Sequence, residues 1–269
     1  MNSAEWHARI ELRGRVAGAG FLIAPGTVLT CAHVVGDGED LTVTFTERPG
    51  SAPVPARVVA HGGWTGAGTD LGDLAVLELG REMPIAPAAL APVDAAHGTA
   101  PRKLVVYGFP AGFDEGTLAE YRVTAAQLIK REWIQLEAWH PGGQPLAPGF
   151  SGAAVTLADT GEVVGMITAA AGTRDVRTGR MMPTQVMARY WPALDCLLRA
   201  VHSSGGAAAT GVLIGSTVAE LTAAQQAGVR FIGLARNATA ARQLDEAGCE
   251  TTVTSLAPLL EAARSLQAR

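Results

Sequence analysis

The sequence predicts a mainly β fold followed by a small α/β module, because the chain changes texture after about residue 183. Before that point, short runs rich in β-branched residues, such as DLAVLEL and KLVVYGF, alternate with Gly, Pro and Asp turns. Short strands at this spacing are typical of an all-β sandwich or barrel. From Gly211 onwards, strand-like and helix-like segments alternate three times, which is typical of a parallel sheet with crossover helices.

The β-rich part contains a series of predicted strands followed by one helix. In chain order the strands lie in GFLIA, TVLTCAHVV, LTVTFT, ARVVAH, DLAVLEL, KLVVYGF, EYRVTAAQLI, WIQLEA, GAAVTLA and EVVGMITAA. The last two form a predicted hairpin whose turn lies at 159–161. After Pro183, Thr184 is a candidate N-cap for a terminal helix over 184–203, and Pro192 should kink or restart that helix.

A stretch of small residues, HSSGGAAATG, separates the two textures and predicts a linker over 204–210. The predicted domains are therefore 1–203 and 211–269. In the second domain, the predicted strands GVLIGS, VRFIGLA and ETTVTS alternate with the predicted helices TVAELTAAQQAG, ATAARQLDEAG and LAPLLEAARSLQ. Gly228 and Gly248 stand where helix C-termini favour a left-handed residue. The pattern predicts a βαβαβα unit with a parallel sheet and right-handed crossovers.

Composition limits the classes of partner and the compartment. Acidic residues outnumber basic ones by 25 to 21, giving a net charge of −4, which argues against nucleic acid or an anionic membrane as the main partner. The N-terminal stretch has no basic start followed by an apolar segment, so no secretory signal is predicted. Cys31, Cys196 and Cys249 are far apart and lack metal-ligand spacing. We expect a cytoplasmic protein with no disulfide framework, no metal and no cofactor.

Three residues are candidates for nucleophilic catalysis, although each alone has a simpler interpretation. Ser151, in LAPGFSGAAV, lies between glycines in a stretch that reads as a loop, or as a nucleophile that a substrate carbonyl can approach closely. His33, in LTCAHVV, alone suggests a packed core residue, and Asp73, before AVLEL, alone suggests a turn residue. Together they follow the chain order His, Asp, Ser that one of the triad folds uses.

The sequences around these residues resemble motifs of the trypsin-like (chymotrypsin-fold) serine proteases, especially their bacterial intracellular branch. The segments GFLIAPGTVLTCAHVV, DLAVLEL, PGFSGAAV and GEVVGMIT resemble four family motifs in the family's order. The resemblance spans 1–203 and implies two β-barrels. It also implies that Ser151 attacks, His33 is the general base, and Asp73 orients the imidazole. The backbone N–H groups of Gly149 and Ser151 would form the oxyanion hole.

Two departures from the secreted branch of this family concern activation and specificity. Phe150 replaces the Asp that pairs with a newly cut N-terminus, so activation by clipping is not expected. The positions that the resemblance gives to the substrate cleft carry no acidic residue, so small or medium apolar residues are expected at the cleaved position. These cleft positions are Pro145, Leu146, Thr168, Ala169 and Ala170.

The second domain resembles the C-terminal half of haloacid-dehalogenase-fold hydrolases, a family with an acidic Mg²⁺-binding motif after the first of these strands. Here Ser216 replaces the first acid, and Glu220 stands four residues later. The family's nucleophilic Asp–x–Asp segment is missing upstream. The module is therefore expected to be non-catalytic, either folding against the protease domain or recruiting a protein partner through its sheet edge.

The leading hypothesis is a serine endopeptidase acting on a protein or peptide substrate, in a role similar to that of effectors of bacterial conflict or defence systems. The main alternative is a catalytically inactive protease-fold scaffold that binds a protein partner. A third hypothesis, a residual phosphatase activity of the second domain, is disfavoured because the aspartate nucleophile of that family is missing from the sequence. An α/β-hydrolase would need Gly–x–Ser–x–Gly and a helix after the serine, but residue 153 is Ala and a hairpin is predicted there.

Overall fold

The computed structural model describes residues 4–66, 71–98, 100–124, 128–171, 178–195, 198, 212–226, 230–257 and 260. The chain divides into two compact units, Met1–Trp191 and Pro192–Arg269. The predicted linker over 204–210 lies outside the described residues. Among the helices that are described, none is long and apolar enough to cross a membrane.

Six antiparallel strands of the first unit close into one β-barrel in the order β1-β2-β3-β6-β5-β4. Strand β2 is buried continuously from Gly18 to Ala24, and Ala19 belongs to the hydrophobic cluster of the second barrel. This strand therefore faces both barrels. The strands are β1 (His7–Leu12), β2 (Arg15–Ala24), β3 (Thr27–Thr30), β4 (Leu41–Thr44), β5 (Val54–His61) and β6 (Ala75–Leu79), with helix α1 (Ala32–Val35) after β3.

A second closed barrel follows, with strand order β10-β11-β12-β9-β8-β7. Its core contains large apolar side chains that are almost completely buried, among them Tyr121, Ile134 and Phe150. Helix α2 leaves the barrel directly after its last strand. The elements are β7 (Leu104–Gly108), β8 (Thr117–Val123), β9 (Ile134–Ala138), β10 (Ala154–Leu157), β11 (Val163–Ala171), β12 (Thr178–Pro183) and α2 (Thr184–Tyr190).

The predicted mainly β architecture is confirmed, with differences at particular elements. Strands β10 and β11 pair as an antiparallel hairpin, so a strand and not a helix follows Ser151. The prediction that Thr184 caps the terminal helix is wrong, because Pro183 is the N-cap and Thr184 is the first helical residue. Helix α2 ends at Tyr190, and helical structure resumes over 192–195, so the predicted interruption at Pro192 is confirmed.

The second unit contains three parallel strands with a helix after each of the first two. The strands pair in the order β13-β14-β15, as predicted for an alternating segment. Gly248, with φ +86°, ends the second helix in a Schellman motif, in which Cys249 N–H donates to Leu244 O at 3.0 Å. Gly228 lies outside the described residues. The elements are β13 (Val212–Gly215), α3 (Val218–Gln226), β14 (Arg230–Leu234), α4 (Ala238–Glu246) and β15 (Thr252–Val253).

Candidate active site

His33 and Asp73 form a hydrogen-bonded pair at one edge of the first barrel. Strand β3 leads into the short helix α1, which carries His33, and Asp73 stands two residues before β6. His33 Nδ1 lies 2.8 Å from Asp73 Oδ2, and the amide of His33 donates to Asp73 Oδ1 at 3.0 Å. The carboxylate therefore fixes both the main chain and the ring of His33. For Nδ1 to donate to the carboxylate it must carry the proton, which leaves Nε2 with a free lone pair.

The backbone around Asp73 is held in a tight turn. The amide of Leu74 donates to the carbonyl of Gly72 at 2.7 Å, so Asp73 is the central residue of a three-residue γ-turn. The Asp73 residue is only 3% exposed, whereas the His33 side chain is 30% exposed. A buried acid next to a solvent-accessible imidazole is the arrangement that an orienting carboxylate and a general base require.

Ser151 lies on the loop before β10 and is tied to the first barrel. Ala19 N–H donates to the carbonyl of Ser151 at 2.8 Å. Gly18, next to Ala19, is packed between the serine loop and α1, since a Cβ built on it would lie 2.7 Å from both Ser151 O and Val34 Cγ2. Ser151 and the helix that carries His33 are therefore neighbours across a residue without a side chain.

The three side chains are not all joined by hydrogen bonds. Within the described residues, His33 is bonded to Asp73, but no hydrogen bond links Ser151 Oγ to the imidazole. Hydrogen bonds between a nucleophile and its base are often long without substrate and shorten in the reacting complex. The structure thus contains a formed acid–base pair with a serine loop next to it.

In the loop from Gly149 to Gly152, alternate amides are bonded to protein acceptors. Phe150 N–H donates to Ala147 O at 3.1 Å, and Gly152 N–H donates to Ile167 O at 2.8 Å. In the part of the chain that the structure describes, the amides of Gly149 and Ser151 donate to no protein acceptor. Two free N–H groups, two residues apart on one loop, can bind a single anionic oxygen.

Gly149 must be glycine for reasons internal to the protein. Its φ is +105°, and a Cβ would lie 2.3 Å from the carbonyl oxygen of Phe109. Phe109 N–H donates to Gly149 O at 3.0 Å, which fixes this close approach. The backbone just after β7 therefore requires glycine at this position, independently of any substrate.

Cys31 lies beneath the acid–base pair, and sequence reasoning missed its location. Its buried thiol donates to Ile167 O at 3.1 Å, the same carbonyl that accepts from Gly152. Burial raises the pKa of the Cys31 thiol well above its ordinary value, and the charge of Asp73 raises it further. The only local signal was the position of this cysteine two residues before His33.

One described group of side chains, Cys31, His33 and Asp73, brings three potential metal-ligand atoms within 4.8 Å of one another. However, Nδ1 of His33 and Oδ2 of Asp73 are 2.8 Å apart. Two ligands bound to tetrahedral Zn²⁺ at about 2.0–2.1 Å would be about 3.3 Å apart. This spacing fits a shared proton better than a metal ion.

The predicted cleft residues lie in different surroundings. Pro145 is exposed, whereas Leu146 is 9% exposed and packs in the core of the second barrel. Thr168 is also buried, and its hydroxyl donates to Arg180 O at 3.4 Å. The side chains of Ala169 and Ala170, on β11, lie outside the described part of the structure.

Trp64 is a neighbour of His33 that no sequence pattern identifies. Its half-buried ring lies 5.9 Å from the imidazole, centroid to centroid, at an interplanar angle of 51°. It stands in the Gly-rich stretch GGWTGAG between β5 and β6, where a single aromatic residue has no informative spacing. The indole narrows the approach to His33 on that side.

In the second unit, the two residues at the positions of the missing acidic motif have a structural role. Glu220 Oε2 accepts from Ser216 N–H at 2.8 Å and from Thr217 N–H at 3.0 Å. The amide of Glu220 donates in turn to Thr217 Oγ1 at 3.2 Å. This reciprocal arrangement is a capping box at the start of α3. The carboxylate of Glu220 is thus occupied by the helix terminus.

Comparison with known proteins identifies the family and supports the fold. A family model described as a trypsin-like peptidase domain matches residues 18–166, more than half of the chain. The fold is similar to that of Rv3671c from M. tuberculosis H37Rv in an inactive mutant form (22% identity, TM-score 0.54, 71% of this chain and 87% of that one). It is also similar to human heparin binding protein (18% identity, TM-score 0.58, 74% and 93%). No curated protein sequence matches the chain.

Proposed function

Because the chain belongs to the family of trypsin-like peptidases, we propose that it is a serine endopeptidase that uses His33, Asp73 and Ser151 as its triad. The observation that carries this proposal is the His33–Asp73 pair, with its 2.8 Å hydrogen bond, beside the Ser151 loop. The protonated Nδ1 leaves Nε2 available as a base on the exposed side of the ring.

The reaction follows from these assignments. Nε2 of His33 takes the proton of Ser151 Oγ as the oxygen attacks the peptide carbonyl, and Asp73 stabilises the resulting imidazolium. His33 then gives this proton to the leaving amine, which departs and leaves an acyl group on Ser151. A water molecule, deprotonated by the same imidazole, attacks the acyl carbonyl. The bond between the acyl carbon and Ser151 Oγ then breaks, His33 returns the proton to Oγ, and the carboxylic acid product leaves.

The amides of Gly149 and Ser151 would bind the oxyanion of both tetrahedral intermediates. Their lack of a protein acceptor, in the part of the chain described, supports this role. Loss of one oxyanion donor costs about 3–4 kcal/mol of transition-state stabilisation in comparable enzymes. The intervening amide of Phe150 is already bonded to Ala147, so it is not a third donor.

Specificity and activation follow from the residues around the site. We expect small or medium apolar residues at the cleaved position, because Pro145, Leu146 and Thr168 carry no charge. We also expect activity without N-terminal clipping. Phe150, at the position where an acid would pair with a new N-terminus, is fully buried in the barrel core.

The C-terminal α/β module, over 211–269 after a linker at 204–210, is proposed to be non-catalytic and to bind a protein partner. Its resemblance to haloacid-dehalogenase-fold hydrolases does not extend to their acidic motif, and Glu220 serves as a helix cap. With the separated cysteines favouring a reducing compartment, we propose a cytoplasmic protease, similar in role to effectors of bacterial conflict systems.

The alternative is an inactive scaffold with the same fold, and a fluorophosphonate probe distinguishes the two. Such probes react with a serine only when a base activates it. We expect the parent protein to be labelled at Ser151 and to cleave casein, and the Ser151→Ala variant to do neither. A folded parent that is not labelled would support the scaffold instead.

A further inference from the structure

We infer that Tyr107, held by Glu47 of the first barrel, is a positioning residue for Gly149 of the proposed oxyanion hole. This inference rests on the proposed function. Phe150 cannot fix the serine loop through an ion pair, because a phenyl ring carries no charge. In this chain, the turn between β7 and β8 connects the first barrel to that loop.

The first step is the contact between this turn and the serine loop. Phe109 N–H donates to Gly149 O at 3.0 Å, and a Cβ on Gly149 would overlap Phe109 O and lie 2.7 Å from Pro110 Cα. The orientation of the Gly149 peptide therefore depends on where residues 109 and 110 lie. A small displacement of residues 109 and 110 would turn the N–H of Gly149 away from the substrate oxyanion that it is proposed to bind.

The second step is a hydrogen bond between the barrels. Tyr107, on β7 and 6% exposed, places its hydroxyl 2.7 Å from Glu47 Oε1 and against Glu115 O, so these two acceptors share its one proton. Glu47 follows β4 of the first barrel. The ring of Tyr107 also packs edge-on against Phe109, with centroids 5.6 Å apart and planes at 89°. Tyr107 thus connects the carboxylate of one barrel to the residue that bonds Gly149.

The third step is a second attachment at the tip of the same turn. Arg9, on β1, donates from Nη1 to Asp114 O at 2.8 Å. Its guanidinium is fixed by Glu11 at 3.0 Å, whose other oxygen accepts from Thr44 Oγ1 at 3.1 Å. The Tyr107 hydroxyl also lies against Glu115 O. Two first-barrel side chains therefore hold the β7–β8 turn, at its base and at its tip.

The apolar core of the second barrel also packs against the strand that leads into this turn. Phe150 is fully buried, and a Cβ on Gly108 would lie 2.4 Å from its Cδ1, so the ring packs directly on the backbone of β7. Apolar packing excludes water but tolerates small shifts, whereas the charge-assisted bond of Tyr107 to Glu47 has a defined direction. The hydroxyl of Tyr107 is therefore the group that determines the position of the turn between β7 and β8.

The test compares Tyr107→Phe with Thr156→Val, a matched control. Thr156, on β10, is buried, and its hydroxyl donates to Val105 O at 3.0 Å. Val105 is on β7, the strand that also carries Tyr107. We expect Tyr107→Phe to lower kcat at least tenfold with KM changed less than twofold. We also expect Tyr107→Phe to weaken the binding of a peptide aldehyde inhibitor by the same factor, because the bound aldehyde forms an oxyanion at Ser151. The affinity for a product peptide, which forms no oxyanion, should not change. Thr156→Val should leave all of these values within twofold of the parent.

A second pair of variants separates the hydrogen bond from general destabilisation. Glu47→Gln keeps an acceptor oxygen and should retain at least half of the parental kcat, whereas Glu47→Ala should match Tyr107→Phe. The double variant Glu47→Ala with Tyr107→Phe should be no slower than either alone. Parental kcat in Tyr107→Phe, or equal weakening of aldehyde and product peptide, would overturn the inference.

Hydrogen exchange of the Phe109 amide decides the structural claim independently of turnover. Tyr107→Phe should speed its exchange at least tenfold, and Thr156→Val should not. If the parent protein shows no Ser151-dependent activity, the proposed function fails, and this exchange rate still tests the connection from Glu47 to the turn. Unchanged exchange in Tyr107→Phe would contradict that connection.

Discussion

At the scale of single residues, the carboxylate of Asp73 bonds two groups of one residue, the amide and the imidazole of His33. This double contact fixes the ring plane as well as the tautomer. An amide in place of the carboxylate can keep one of these bonds but offers an N–H to the other. The chemical role of Asp73 can therefore be tested apart from its packing.

Asp73→Asn should lower turnover by about four orders of magnitude at neutral pH while the fold is retained. The amide favours the wrong tautomer of the histidine, as the corresponding change does in related proteases. Steady-state kinetics on a peptide substrate, with circular dichroism as the control for folding, measure this effect. A loss of less than tenfold would mean that another group orients His33.

His7 gives a second prediction at this scale, because it is buried between aromatic rings without a partner for Nδ1. Its ring lies 4.0 Å from that of Trp6 and 5.0 Å from that of Tyr107, and among the described residues Nδ1 is without a hydrogen bond. Burial lowers the pKa of His7 from 6.5 to about 3. In the unfolded chain the imidazole ionises near its ordinary pKa, about 6.5. The unfolded state therefore gains protons first as the pH falls.

The contribution of neutral His7 to stability is complete above pH 6.5 and is lost progressively as the pH falls from there towards 3. One unit of pKa shift corresponds to about 1.4 kcal/mol, so the loss should reach a few kcal/mol. We expect Tm of the parent to fall more steeply between pH 6.5 and 4 than Tm of His7→Phe, which cannot be protonated. Parallel profiles for the two proteins would show that other groups dominate acid unfolding.

At the scale of elements, the helices of the C-terminal unit depend on their caps. The side chain of Asn237 accepts from Ala240 N–H at 2.8 Å at the start of α4, as the Thr217–Glu220 pair does for α3. Removing such a cap costs about 1 kcal/mol. We expect Glu220→Ala to destabilise this unit by about that amount and Glu246→Ala, in the last turn of α4, to have little effect.

Hydrogen exchange of the α3 and α4 amides in the full chain measures the stability of this unit in both variants. Millimolar Mg²⁺ should shift neither the parent nor Glu220→Ala, because the carboxylate serves the helix and no aspartate nucleophile accompanies it. A stabilisation by Mg²⁺ that Glu220→Ala abolished would contradict this assignment.

The sequence predicts an element correctly where the residues of that element alone favour its structure, and less well where distant residues determine it. The strands of DLAVLEL and KLVVYGF carry enough β-branched and alternating residues to be recognised alone. Strand β12 contains Gly179 and Pro183, which are untypical of strands, and its pairing with β9 and β11 decides its structure. Helix α2 begins at Thr184, one residue earlier than predicted, because Pro183 already has the extended conformation of an N-cap.

The same distinction applies to the candidate site. His33, Asp73 and Ser151 stand in short motifs, so their selection needed no knowledge of the fold, and their catalytic roles stay predictions. Cys31 meets Ile167 across 136 residues of sequence, a contact that no local pattern encodes. Trp64 was missed for the same reason, because only the folded barrel brings it to His33.

At the scale of the whole molecule, every residue of the proposed reaction lies in the unit Met1–Trp191. A chain truncated after residue 203 should therefore keep fluorophosphonate labelling at Ser151. Labelling of the truncated and full chains, with circular dichroism to establish folding, tests this expectation. If truncation abolished labelling while the remaining domain stayed folded, the C-terminal module would be a required activator.

The packing of Gly18 between Ser151 O and Val34 has a consequence for mutational screens of this protein. Alanine scanning normally removes atoms and measures what they contributed, but here it would insert a methyl group between the nucleophile loop and the helix of the base. Gly18 would then rank with the triad in a map of tolerated substitutions, although it contributes no group to the proposed reaction. In such a map, the intolerant positions would mark both the residues of the proposed reaction and the place where the two barrels touch.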